Sequence, residues 1–276
     1  MLYYYANTSH KMGLERLRRG AALLNRLNAN GEETQLLVND FRAGLVAREL
    51  GVREYVTIEG IQDIDAIAQN SDSIIIDSME DDHGRLVKYC QDFSQVWRFA
   101  HDTKDVSIHG ETLIRMDNVI VDDTFFEENK KEKRILFFLG DADYDKTILS
   151  NVDFFKAFDM ELLLGNYFFV KYEDDLAKLF STLHEPEEYE DLIKSSSTVV
   201  TASGQTALEA KVAGAKVIYI ALPQRELYEK GLLESYGITV IDGFNVEKLT
   251  VSLQNNLSDN KNIIEKTDDK KVLLKQ

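Results

Sequence analysis

Three short stretches carry side chains whose types and spacing suit chemistry. The first, Asn7-Thr8-Ser9-His10-Lys11-Met12-Gly13-Leu14-Glu15-Arg16-Leu17-Arg18-Arg19, joins an apolar run to leucines and alanines at helical spacing. It offers His10 or Glu15 as a general base, and Arg16 and Arg19 as cations for phosphate charge. Lys11, Arg16, Arg18 and Arg19 form the densest basic cluster, at a predicted helix start where free backbone N–H groups add positive potential. A solvated helix face is the plainer reading of the same cluster. The second stretch, Thr201-Ala202-Ser203-Gly204-Gln205-Thr206-Ala207-Leu208-Glu209, is again a small-residue turn between an apolar run and a helical pattern. Small residues there let backbone N–H groups approach a diphosphate, and the carboxylate of Glu209, one turn on, can accept two hydroxyl protons. The plainer reading is a Ser203-Gly204 helix cap with Glu209 on the wet face.

The third stretch, Leu139-Gly140-Asp141-Ala142-Asp143-Tyr144-Asp145-Lys146, alternates three aspartates and invites a cation or an aspartyl-phosphate. It does not fit an EF-hand, because Lys146 stands at the required glycine and Val152 at the final glutamate. Against a haloacid-dehalogenase phosphatase loop, Asp145 replaces the usual threonine. Asp77-Ser78-Met79-Glu80-Asp81-Asp82-His83 follows an apolar run and could bring an acid and a histidine to a site, although acids also favour helix starts. His101, His109 and His184 lack ligand spacing, so no metal is expected. No cofactor is expected either: there is no Gly-x-Gly-x-x-Gly after the first strand, no Walker A sequence and no Gly-x-Ser-x-Gly elbow.

The elements that must position these turns alternate. Strand patterns at Leu2–Ala6, 34–38, 55–58, 73–76 and 95–99 are separated by helical ones, which predicts a parallel, doubly wound sheet. A charged run, Glu127-Glu128-Asn129-Lys130-Lys131-Glu132-Lys133, reads as a linker within about 122–133. A second alternation opens at Ile135-Leu136-Phe137-Phe138-Leu139, an unbroken apolar run suited to a strand buried on both faces. The expected domains are residues 1–126 and 134–258, with a polar tail over 259–276. The chain has 276 residues, 44% hydrophobic, enough for two cores. Its net charge of -16 argues against nucleic acid as a partner. The single cysteine, Cys90, rules out an intrachain disulfide. Without a leader-like start or a long apolar span, the expectation is a cytoplasmic protein with no membrane insertion.

The first stretch resembles the UDP-sugar hydrolase family of pseudaminic acid synthesis, whose first turn carries Gly-x-Gly-His-x-x-Arg with histidine as the base. Gly13 matches the first glycine and Arg19 the arginine. Glu15 stands for the second glycine and Arg16 for the histidine, so the family's base is absent; arginine, with a pKa above ~12, cannot replace it. The second stretch resembles the nucleotide-binding turn of GT-B glycosyltransferases, most of all the N-acetylglucosaminyltransferase of peptidoglycan synthesis. The resemblance implies two tandem Rossmann-like α/β domains (GT-B-like) with parallel sheets and an interdomain cleft. It also implies a nucleotide sugar, UDP-linked, with Ser203, Gly204, Gln205 and Thr206 at the phosphates, Glu209 at the ribose, and a role in cell-surface or flagellar glycan synthesis. Pro223-Gln224 resembles the loop that closes this site. With the base missing and the second turn intact, two readings stand: a hydrolase or glycosyltransferase using His10, Glu15, Arg16 and Arg19, or a non-catalytic protein of the same fold acting as a partner-binding or regulatory module.

Overall fold

The computed structural model describes residues 1–223, 227–255 and 263–266. Gln224 and most of the polar tail lie outside the described residues. The chain divides into two compact units. The first holds Met1–Ser9, Arg16–Asp122 and, among the described residues, Lys266; the second holds His10–Glu15 and Asp123–Glu265.

The first unit contains β1 (Leu2–Ala6), α1 (Glu15–Ala29, entering the unit at Arg16), β2 (Thr34–Val38), α2 (Phe41–Glu49) and β3 (Tyr55–Thr57). It continues through α3 (Ile64–Ile67), β4 (Ser73–Asp77), α4 (Arg85–Asp92), β5 (Gln95–Phe99) and β6 (Thr112–Ile114). The strands form a six-stranded sheet in the order β3-β2-β1-β4-β5-β6, and its pairings are parallel. Tyr3, Tyr5, Ile74, Ile76 and Val96 point into one apolar layer with Leu86 and Tyr89 of α4. On α1, a Cβ at Gly20 would lie 2.6 Å from the Tyr4 ring, so only glycine lets the helix seat there.

The second unit contains β7 (Glu132–Phe138), α5 (Val152–Lys156), β8 (Glu161–Leu163), α6 (Val170–Leu176), β9 (Thr182–His184) and α7 (Tyr189–Ser195). Then follow β10 (Ser196–Thr201), α8 (Gly204–Val212), β11 (Lys216–Ala221), α9 (Lys230–Ser235), β12 (Thr239–Asp242) and α10 (Val246–Gln254). Its sheet, also of six parallel strands, runs β12-β11-β10-β7-β8-β9. The core is phenylalanine-rich: Phe137 meets Phe155 edge-on at 4.9 Å and stacks on Phe180 at 5.9 Å.

The run read as a linker is partly structured. Asp123–Phe126 form a 3-10 turn whose Phe125 is buried against Tyr189, and Glu132 and Lys133 already belong to β7. Residues 167–170, an apolar stretch whose sequence reads as a strand, form none: the Tyr167 N–H is tied to the Asp141 carbonyl at 2.8 Å and α6 begins at Val170.

Candidate functional site

Each sheet reverses its strand order once, between β1 and β4 in the first unit and between β7 and β10 in the second. At such a reversal the connections leave to opposite faces and open a crevice beyond the carboxyl ends of the two strands. The turns singled out in the sequence follow β1, β4, β7 and β10; those after β7 and β10 meet at the second unit's reversal, and the middle of the turn after β1, His10–Glu15, belongs to that unit as well.

In the second unit, β10 ends at Thr201 and Ser203 caps α8 from an extended conformation. Its Oγ accepts the Thr206 N–H at 3.1 Å and the Thr206 hydroxyl at 2.8 Å. Glu209 is 2% exposed. Its Oε1 accepts from Gln205 Nε2 at 2.9 Å, and its Oε2 accepts from the Tyr189 hydroxyl, which also meets Thr206 Oγ1 at 2.8 Å. Tyr228 donates to Gln205 Oε1 at 2.8 Å. The helix cap is therefore real, but Glu209 is not on a wet face; it anchors a buried polar network that fixes the turn. Tyr189 and Tyr228 escaped the sequence reading because each is distant along the chain and looks like an ordinary apolar position.

The segment His10–Glu15 lies on this unit's two turns. Gly13, at φ +80, brings its backbone against Asp141: a Cβ there would sit 3.7 Å from the Asp141 Cβ. The His10 ring packs on Tyr144 at 5.2 Å, with Lys11 Nζ 4.7 Å from the same ring. Glu15 reaches the other turn, where its Oε2 accepts the Gln205 backbone N–H at 3.2 Å. Two aspartates of the β7 turn, Asp141 and Asp143, serve the fold. Asp143 accepts from the N–H groups of Thr147 and Ile148 at 2.6 and 3.1 Å and from the Tyr172 hydroxyl at 2.5 Å. Asp141 accepts from Asn166 Nδ2 at 2.8 Å. Among the described residues no group of three or more ligand-type side chains gathers around a point that could hold a metal ion.

In the first unit, Asp77 at the end of β4 takes both Nε and Nη2 of Arg19 at 2.6 Å, and the Tyr4 hydroxyl at 2.6 Å. Arg16 Nε lies 3.4 Å from the same carboxylate, and the Arg19 guanidinium lies over the Phe99 ring at 3.8 Å. The two arginines expected to meet phosphate thus converge on a buried carboxylate. The neighbouring turn is equally ordered: Glu80 accepts from Tyr5, Asn7 Nδ2 and the Ile61 N–H at 2.9, 2.6 and 2.6 Å. Burial holds the Tyr5 phenol well above its ordinary value. Beside this turn lies a cavity of about 230 Å³ lined by Ser78, Glu80, Arg98, His101 and Ile108 among others. Arg98 donates to Asp105 at 2.6 and 3.0 Å and to Glu111 at 3.2 Å. Burial works against its charge, but the two carboxylates outweigh it and raise its pKa. The hydrogen bonds from Arg98 bring Asp105 down to about 2.

Two such sheets in one chain, each with helices between parallel strands, define the architecture. The fold is of the GT-B type. Solved structures that share it include a spinosyn rhamnosyltransferase complexed with spinosyn aglycone, at TM-score 0.58 and 11% identity over 92% of each chain. They also include the UDP-GlcNAc 2-epimerase of Methanocaldococcus jannaschii, at TM-score 0.53 and 13% identity over 95% of this chain and 94% of that one. A kitacinnamycin glycotransferase matches at TM-score 0.51 and 12% identity over 91% and 89%. No family model matches the chain, and no curated protein sequence matches it. At these identities the likeness establishes the fold and leaves the reaction to the residues.

Proposed function

We propose that this protein binds a nucleotide sugar, UDP-linked, at the turn after β10, with Ser203, Gly204, Gln205 and Thr206 facing the phosphates and Glu209 ordering the turn and meeting the ribose. The observation that carries the reading is the Ser203-capped start of α8 at the strand-order reversal, backed by a buried hydrogen-bond network. The enzymes named above that share the fold, an epimerase of UDP-GlcNAc and two glycosyl-transferring enzymes, support the same ligand class. The activity would be hydrolysis of the nucleotide sugar or glycosyl transfer in cell-surface or flagellar glycan synthesis, in the cytoplasm.

A second reading, a non-catalytic module that binds a protein partner, is favoured by one specific feature. Arg19, expected at the phosphates, is locked onto Asp77, and the hydrolase family's histidine is Arg16 here. A thermal-shift and calorimetry screen against UDP, GDP, CMP and their sugar conjugates, with and without magnesium, separates the two. Binding to the native state alone raises stability by ~2.7 kcal/mol at a hundredfold excess over Kd. A saturable shift with UDP-sugars is expected; no shift with any nucleotide overturns the first reading and leaves the second.

A further inference from the structure

The first unit holds a cavity that the nucleotide-sugar reading leaves unused, with a volume of about 230 Å³. An apolar cavity of about 150 Å³ takes a benzene ring, so a body of ring size with one substituent fits here. The floor is apolar, from buried Ile61, Ile76 and Leu86, and the exposed Ile108 stands at the mouth. Two nearly buried side chains of the wall keep a hydrogen-bond donor that no acceptor among the described residues meets. Arg98, 6% exposed, commits its Nη atoms to Asp105, Glu111 and the Val106 carbonyl, but its buried Nε has no partner. Ser78, 5% exposed, uses Oγ only to accept the Glu80 N–H at 3.0 Å, which leaves its own hydrogen to give. The turn that carries it is fixed, since His101 Nε2 donates to the Ser78 carbonyl at 2.9 Å. A buried donor without an acceptor is costly, so two of them on one cavity wall call for an oxygen from a ligand.

We propose that this cavity is a binding site for a small uncharged molecule that carries a carboxamide on a ring-sized apolar body. The carbonyl oxygen accepts from Ser78 Oγ and Arg98 Nε, the body lies on the apolar floor, and the amide N–H donates to Asp82. Asp82 has acceptor sites to spare: its two oxygens take one backbone N–H each, from Gly84 and Leu86. The charges of the wall select against ions of both signs. An anion would face Glu80, Asp82 and Asp105, while the charge of Arg98 is already met by two carboxylates. An ammonium ion could answer the carboxylates but brings no lone pair for the two donors. The site lies within the first unit and is independent of the nucleotide-sugar reading of the second.

The test is nuclear magnetic resonance of the full chain with isotope-labelled isoleucine methyls, titrated with benzamide and, on the same ring, with benzoate and benzylammonium. Benzamide should shift the Ile61, Ile76 and Ile108 methyls saturably at millimolar strength, the range open to so small a ligand. Benzoate and benzylammonium should bind at least about tenfold more weakly. Ser78→Ala should weaken benzamide about fivefold through the lost donor, and Ile108→Ala about threefold through lost apolar contact. Absence of a saturable shift at Ile61 and Ile76 with benzamide, or equal affinity for either ion, overturns the inference; so does an affinity that Ser78→Ala leaves unchanged. Should Ser78→Ala fail to fold, Ile108→Ala, at an exposed position, and the three probes on wild type still decide. None of these outcomes bears on nucleotide binding, which the screen above tests by itself.

Discussion

At the residue scale, the buried carboxylates decide most. Glu209 satisfies Gln205 and Tyr189 at once, and both donors are buried with it. Glu209→Ala takes an acceptor from the buried Gln205 amide and from the Tyr189 hydroxyl, which keeps Thr206 Oγ1 at 2.8 Å, so urea unfolding should show a loss of about 1–3 kcal/mol, with Glu209→Gln losing less because it keeps one acceptor. Asp77 gives a parallel case in the first unit. Arg19→Met leaves that carboxylate with Arg16 at 3.4 Å and the Tyr4 hydroxyl as partners. The expected cost is about 3 kcal/mol, and Arg19→Met combined with Asp77→Leu should recover part of it, because removing both charges also removes their desolvation. If the single variant unfolds at the wild-type urea concentration, Arg19 is not a structural residue and its assignment to the ligand's phosphates regains weight.

At the element scale, the connection between β5 and β6 is held by charge rather than by apolar packing. Arg98 on β5 ties Asp105 and Glu111 of that connection, while Val106 and Ile108 stand 65% and 67% exposed. Asp105 titrates near 2 in the folded protein against 3.8 for the free group. A depressed folded pKa means the stabilisation is fully present above pH ~4 and drains away as pH falls toward ~2, on the order of 1–2 kcal/mol in all. Acid-induced unfolding followed between pH 5 and 2 should therefore be steeper for wild type than for Asp105→Asn, which has lost the same energy at every pH. Equal slopes would place the acid sensitivity elsewhere.

The same connection shows what the sequence could and could not reveal. Leu2–Ala6 was legible because apolar residues fill a strand buried along its whole length, and β7 because of the apolar run that ends it, buried over its last three residues; the turns after them stood out by their small and charged residues. The three-residue edge strands β6 and β9 carry too few residues to show a period, and α10 has no such boundary signal beyond its Asn245 cap. At the candidate site, Ser203 through Glu209 were legible as a turn. Their partners Glu15, Tyr189 and Tyr228 were not legible as partners, because only the folded chain joins residues so far apart in sequence. The N-cap of α8 adds a checkable consequence: Ser203→Ala removes the acceptor for Thr206, and a loss of about 1 kcal/mol is expected from the helix start alone.

At the scale of the whole molecule, net charge governs how an anionic ligand arrives. The chain carries -16, and two cations of its densest basic cluster, Arg16 and Arg19, share the single buried carboxylate of Asp77. At that net charge the far field that a nucleotide sugar meets is repulsive, and added salt screens it over a Debye length that shrinks from about 30 Å at 0.01 M to about 8 Å at 0.15 M. Stopped-flow association of a fluorescent UDP-sugar should thus speed up as sodium chloride rises across that range, the reverse of the trend for a basic protein. Association that slows with salt would mean that the ligand enters past a positive surface, and the crevice at β7 and β10 would then be the wrong address for it.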